Sequence, residues 1–178
     1  MTQTKQEIDI VKDFFDQALI EKVGSYVNTI FNKNEFKWKT NLIWGSDLNT
    51  VNNIYSGTIQ QLQIPNLLVP EIIEKFNNLY PQTKNKKFYI NYHLFHPLSY
   101  IGKHLDQGCV LAATIYLNSE KWDINWGGLF YYKSDNNYKI VLPKFNKAVI
   151  NVKHTEHGVT SLNIGAPLRK SIQIFVRY

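Results

Sequence analysis

Apolar positions in the first part of the chain recur at helical spacing. Leu19, Ile20, Val23, Val27, Ile30 and Phe31 fall on one face, with Asp16 placed to cap the first turn. A second helix is expected to open near Pro70, because a proline suits a first turn whose N–H groups have no partner inside the helix. It would bury Ile72, Ile73, Phe76 and Leu79. Between the two, residues 36–64 mix short extended pieces with polar turns. From Phe88 the period changes to two. Residues 88–95 alternate and are rich in aromatic and β-branched side chains, and 110–117, 129–132, 138–142, 147–152 and 171–177 follow as further strands. Asp135-Asn136-Asn137 is a turn signal, so 129–142 reads as a hairpin. Helices first and strands afterwards predict an α+β fold, with N-terminal helices packed on one face of a largely antiparallel structure. Seven or eight short strands suit a double-sheet jelly roll, and the pattern alone leaves a plain sandwich equally open.

Composition narrows the class. The 178 residues fit one domain, 1–178, made of a mainly helical part (1–87) and a strand-rich core (88–178). A hydrophobic content of 44% with 14% aromatics argues against disorder. No apolar run approaches the roughly 20 residues of a membrane helix. The polar start, with Glu7 and Asp9, does not read as a signal peptide, so a cytoplasmic setting without a membrane partner is expected. The single cysteine, Cys109, excludes an internal disulfide framework and a multi-cysteine zinc site, and its apolar surroundings suit a small buried residue. The net charge is +6, but the lysines are scattered; only Lys84, Lys86 and Lys87 cluster, in an expected loop. Without a dense basic stripe, nucleic acid is not the expected partner. Repeats and low-complexity segments are absent from the sequence, and the oligomeric state is not legible.

Candidate chemistry centres on five histidines: His93, His96, His104, His154 and His157. In His104-Leu105-Asp106 the first and third side chains point the same way if the segment is extended, so both can reach one ion. An imidazole and a carboxylate, joined by a second imidazole from elsewhere, make the facial triad of non-haem iron oxygenases, which leaves coordination positions for a co-substrate and O₂. His154 and His157 compete for the third place. A bare His-x-Asp is common, and alone it fits a surface loop better than a metal site.

The wider context resembles the prolyl-4-hydroxylase-like branch of the iron(II)/2-oxoglutarate-dependent dioxygenases. His104-Leu105-Asp106 is followed by Thr114-Ile115-Tyr116-Leu117-Asn118, Trp122, Trp126-Gly127-Gly128-Leu129 and Pro143, in the family's order. Glu156-His157-Gly158-Val159 is similar to its distal histidine segment, and Arg169-Lys170-Ser171-Ile172 to the basic residue opening its last strand. The resemblance spans 88–178 and implies a double-stranded β-helix, the jelly-roll choice. It further implies His104, Asp106 and His157 as ligands of Fe(II), with 2-oxoglutarate and O₂ as co-substrates and ascorbate as an optional addition. Arg169 would pair with the far carboxylate of 2-oxoglutarate, and Ser171, on the same strand face, could add a hydroxyl. Relatives often carry a tyrosine about nine residues before the first histidine. Here that count lands on Phe95, which has no hydroxyl, leaving His93 or Tyr100 as substitutes and Tyr92 on the opposite face. The implied reaction is C–H hydroxylation coupled to decarboxylation of 2-oxoglutarate. A prolyl residue of a peptide or protein is the first substrate expected, and a free amino acid or other small molecule the rival. A non-catalytic metal-binding jelly roll and a zinc site with the same ligands are the competing classes. Aromatic-rich loops at 38–55 and 122–126 are candidates for a rim that reads a peptide.

Overall fold

A computed structural model describes residues 8–33, 39–41 and 59–178. The side chains of Ile30 and Phe31 and the aromatic loop expected at 38–55, apart from the backbone of 39–41, lie outside the described residues. Helix α1 is Gln17–Lys33 and α2 is Val69–Leu79. Asp16 caps α1 as expected, its Oδ1 accepting from the Leu19 N–H at 2.9 Å. Leu19, Ile20, Val23 and Val27 of α1 are buried, as are Ile72 and Phe76 of α2, while Ile73 is half-buried. Leu79 departs from the expectation and is 49% exposed. The helix stops at that residue, and Tyr80 takes the inward position, its N–H closing onto the Phe76 carbonyl at 2.7 Å.

Eleven strands follow the chain: β1 Ile8–Val11, β2 Lys39–Asn41, β3 Ile59–Gln63, β4 Lys87–Phe95, β5 Ile101–His104, β6 Cys109–Tyr116, β7 Phe130–Ser134, β8 Asn137–Val141, β9 Ala148–Asn151, β10 His157–Val159 and β11 Arg169–Arg177. All pairs are antiparallel. Six of these strands match the alternating segments to within a few residues. β1, β5 and β10 were not anticipated, and β2 and β3 fall in the stretch of short extended pieces. The expected hairpin is β7–β8, turning at Asp135, whose positive φ of 54° suits an aspartate.

One sheet has the order β1-β9-β6-β11-β4-β3-β2 and the other β5-β10-β7-β8. From β4 to β11 the chain crosses repeatedly between the sheets, so spatial neighbours are not sequence neighbours. That is jelly-roll topology, which decides the choice the pattern left open. Strand alternation then sorts the side chains. Even-numbered residues of β4 and β11, such as Ile90, Tyr92, Ile172 and Ile174, face the helices and form the larger core with α1 and α2. Odd-numbered ones face the second sheet, where Phe95 joins Ile59, Tyr116, Phe130 and Val159. Each fully buried aliphatic or aromatic side chain contributes roughly 1.5–3 kcal/mol, so both layers hold the sheets in register. Tyr92 does point away from the second sheet: its hydroxyl donates to the Val23 carbonyl at 3.2 Å. Cys109 is buried, Lys84, Lys86 and Lys87 are exposed, and among the described residues no helix is long and apolar enough to cross a membrane.

Candidate metal centre and co-substrate recess

β5 and β10 pair so that His104 lies directly opposite His157, with ring centroids 4.3 Å apart. Asp106 follows just past the end of β5. Its Oδ1 is 3.6 Å from His104 Nε2, and its Oδ2 is 3.3 Å from His157 Nε2. The three candidate ligand atoms all lie within 4.8 Å of one another. The far side of each ring is fixed by the backbone: His104 Nδ1 is 2.9 Å from the Gly102 carbonyl, and His157 Nδ1 is 2.8 Å from that of Thr155. Each Nδ1 therefore carries a proton and donates, which turns both Nε2 atoms toward the carboxylate. Asn151 braces the turn before His157, accepting from the Thr155 N–H at 2.9 Å and donating to its carbonyl at 3.0 Å. Phe130 stacks on the His157 ring at 5.2 Å.

Gly158 has a steric reason to be there. A Cβ would strike the Tyr131 hydroxyl and come within 2.6 Å of the Ile101 carbonyl oxygen. His154 stands outside the triad, at a positive φ of 54°, with its Nδ1 2.9 Å from the Asp106 carbonyl oxygen. Of the two rival histidines, then, His157 stands with His104 and Asp106, and His154 bonds the Asp106 backbone.

Electrostatics suit a cation. Burial alone would raise Asp106, but the His104 hydrogen bond and the charges of His157, His104 and His154 hold it below the usual carboxylate range. Burial lowers His157, and the neighbouring His104 adds to that against the pull of Asp106. For His104 burial is outweighed by the Asp106 hydrogen bond and charge and by the Gly102 carbonyl, so its pKa rises. Asp106 Oδ2 is buried without a hydrogen bond. Two imidazole nitrogens and one carboxylate oxygen converging in a nearly water-free place form a donor set that fits a divalent transition metal.

The triad itself lines a narrow recess of about 20 Å³ that opens to solvent. Its floor is the inner face of the large sheet, where register sets rows across β4, β11 and β6. Phe95 lies opposite Arg169; Ser171 lies between His93 and Tyr116; Gln173 lies between Asn91 and Thr114. Arg169 is only 1% exposed, with its guanidinium over the Phe95 ring at 4.5 Å and the Tyr116 ring at 5.0 Å. The ion pairs among the described residues join Lys22 to Glu71 and the two triad histidines to Asp106, so Arg169 has no carboxylate partner there. Arg169 Nε, Ser171 Oγ, His93 Nε2 and Tyr116 Oη are all buried without hydrogen bonds. Each such atom costs about 1–3 kcal/mol, and four side by side around an unpaired cation are a strong sign of an anionic ligand. Burial, helped by the Arg169 charge, drives His93 down to about 3, so its ring is neutral at physiological pH.

The motif residues around the site have mechanical roles. Asn118 donates to the Leu168 carbonyl at 2.9 Å and accepts from the Lys170 N–H at 2.7 Å, clamping the backbone on both sides of Arg169. Gly128, at φ 62°, leaves room for the arginine stem: a Cβ there would stand 3.1 Å from Arg169 Cδ. Trp122 donates to the Gly127 carbonyl at 2.9 Å and is buried, with Trp126 packed on it, so this pair serves the core rather than a rim.

The structure thus brings His104, Asp106 and His157 together and gathers Arg169, Ser171 and His93 on the adjoining face. Tyr100 is not drawn in: it is half-buried just before β5, and its neighbour Ile101 faces the recess instead. The hydroxyl absent at Phe95 has a counterpart that sequence reasoning passed over, Tyr116. It reads as ordinary strand core, and only its register opposite Ser171 brings it to Arg169.

A family model described as the 2OG-Fe(II) oxygenase superfamily matches residues 89–177. Similar solved structures include a prolyl-4-hydroxylase from Pseudomonas putida, 16% identical, covering 97% of this chain and 93% of that one with a TM-score of 0.70. A prolyl hydroxylase from Trichoplax adhaerens, solved with a hypoxia inducible factor peptide fragment, is 14% identical over 96% and 83% of the two chains, with a TM-score of 0.73. The viral collagen prolyl hydroxylase of Paramecium Bursaria Chlorella virus-1, in its 2OG complex, is 11% identical over 99% of both chains, with a TM-score of 0.64. No curated protein sequence matches significantly. At such identities the structural likeness speaks for the fold.

Proposed function

Since the chain belongs to the 2OG-Fe(II) oxygenase superfamily, we propose that it hydroxylates a prolyl residue of a peptide or protein, using an iron held by His104, Asp106 and His157. Iron(II) and 2-oxoglutarate, when bound, supply O₂ activation coupled to oxidative decarboxylation to succinate and CO₂. The protein's share is to bind and orient. The backbone bonds at Gly102 and Thr155 occupy both Nδ1 atoms, so that the Nε2 atoms would be the ones to bind the metal, and Asp106 would reduce the charge of the centre. Arg169 takes the far carboxylate of 2-oxoglutarate with a charge-assisted bond, and the Tyr116 and Ser171 hydroxyls and neutral His93 complete its shell. The observation that carries this reading is the buried, unpaired Arg169 among orphaned polar atoms beside a two-histidine, one-carboxylate cluster. Residues 1–178 act as one unit, with α1 and α2 backing the sheet that bears Arg169.

The prolyl substrate is favoured by the prolyl hydroxylases among the similar structures, one of them solved with a peptide. A succinate-release assay over proline-containing peptides and free amino acids tests both levels. Iron-dependent release stimulated by a proline peptide and lost in Asp106→Ala is expected. Stimulation by free amino acids alone would remove the prolyl-peptide assignment, and no iron-dependent release at all would remove the oxygenase assignment.

A further inference from the structure

The inner faces of β4 and β11 become exposed at one end. Along β11 Arg169 and Ser171 are buried, Gln173 half-buried, Phe175 buried and Arg177 exposed; along β4 Phe95 and His93 are buried, Asn91 half-buried, and Tyr89 and Lys87 exposed. Both strands reach solvent at the same end, where Lys87, Tyr89 and Arg177 form an exposed rim beyond Gln173 of the recess wall. Cys109 ties this rim to the metal side, since its thiol feels both the Asp106 carboxylate and the Arg177 guanidinium. Register sets Lys87 directly opposite Arg177, on the same face. Like charges facing each other across strands are unfavourable. No acidic side chain among the described residues relieves them. Both cations settle on one half-open ring instead: Lys87 Nζ lies 5.0 Å and Arg177 Cζ 5.3 Å from the Tyr89 centroid.

Two facing, unneutralised cations on this exposed rim call for an anion from outside. Gln173, in the recess wall, is four residues from Arg177, roughly 13 Å along the strand and about the span of four extended residues. A free amino acid is too short to bridge that distance, whereas a peptide is not. We infer that the substrate is an acidic peptide segment, with an Asp or Glu about two to four residues from the residue that is oxidised, its carboxylate held by Arg177 and Lys87 beside Tyr89. This rests on the oxygenase reading above and narrows its substrate class.

The test compares peptides that differ only in Glu, Gln or Lys at positions two to four residues on either side of one proline, along with free proline and free glutamate. The readout is succinate release above the level without substrate. The Glu peptide should exceed the Gln peptide about tenfold in kcat/KM, the scale of a hydrogen bond to a charged group, with the gap closing as salt rises. Arg177→Gln and Lys87→Gln should each shrink that preference and together abolish it, while Lys139→Gln, a cation removed from β8, should leave it intact. Equal use of Glu and Gln peptides, preference for Lys, turnover of the free amino acids only, no stimulation by any peptide, or survival of the preference in the double variant would each overturn the inference. So would a double variant that changes only the KM for 2-oxoglutarate, since the pair would then serve the co-substrate. If wild type releases no succinate even without substrate, the oxygenase reading fails and takes the inference with it; failure with that background release present counts against the acidic peptide alone.

Discussion

Removing one oxygen atom should move the stability of the ligand-free protein and its affinity for 2-oxoglutarate in opposite directions. The perturbation is Tyr116→Phe. The Tyr116 hydroxyl is buried without a well-formed hydrogen bond, although the Arg169 guanidinium lies close to its ring. Burial raises its pKa despite the arginine, so it enters the site as a neutral donor. An unpaired buried hydroxyl costs about 1–3 kcal/mol, so the phenylalanine variant should be more stable without ligand by about 1 kcal/mol. For a chain of 178 residues that is a rise of about 2–4 °C in Tm. With 2-oxoglutarate bound, the same hydroxyl would meet a carboxylate, a bond worth about 1.5–3 kcal/mol, so affinity should fall about tenfold or more. Thermal melts of the metal-loaded, oxygen-free protein read both effects. At a concentration about 100-fold above the wild-type Kd, 2-oxoglutarate adds about 2.7 kcal/mol of stability, and after a tenfold loss of affinity only about 1.4 kcal/mol. A variant with lower ligand-free Tm and an unchanged shift on adding 2-oxoglutarate would refute the reasoning, since Tyr116 would then be a core residue only.

Two other perturbations follow from the same geometry. His93 titrates near 3 when folded and near its ordinary value when unfolded, so between those limits the unfolded chain binds the extra proton. Stability of the metal-free protein should therefore fall as pH drops from about 6.5 toward about 3, by up to about 1.4 kcal/mol per pH unit from this group. His93→Gln should flatten that part of a urea-denaturation pH series, and an unchanged slope would contradict the assignment. His154→Ala removes the donor to the Asp106 carbonyl, so Mn(II) or Fe(II) affinity measured by titration calorimetry should fall about tenfold, with partial recovery in His154→Asn. Equal loss of metal affinity in both variants, accompanied by a matching drop in metal-free Tm, would make His154 purely structural.

Legibility from sequence tracked the length and regularity of each element. β4, β6 and β11 are eight or nine residues long and rich in apolar, aromatic and β-branched residues, so they could be read directly as strands. β5 and β10, which present His104 and His157, are four and three residues long, too short for any period to register. β5 forms by pairing with β10, and β10 by pairing with β5 and β7. The His157 assignment rested on the Gly158-Val159 that follows it, and the packing of Tyr131 against Gly158 supplies the physical reason. Leu79 fit the helical period but came at the last turn, where the chain bends away and exposes it. Tyr116 was hidden for the opposite reason. A buried aromatic in a core strand is the ordinary case, and an unsatisfied hydroxyl is a property of its neighbours, which no single strand reveals. Among the charges, Lys87 read as part of a solvated loop, and only the register with β11 sets it against Arg177.

The central claim is that His104, Asp106 and His157 hold an iron at which 2-oxoglutarate, anchored by Arg169, is a ligand. Oxygen-free titration of Fe(II)-loaded protein with 2-oxoglutarate, followed by visible absorption, tests it directly. Wild type should develop the weak metal-to-ligand charge-transfer band of a chelated 2-oxo acid. Asp106→Ala should show none, and Arg169→Gln should reach the band only at much higher 2-oxoglutarate. No band in wild type with iron demonstrably bound, or an undiminished band in Asp106→Ala, would contradict the claim.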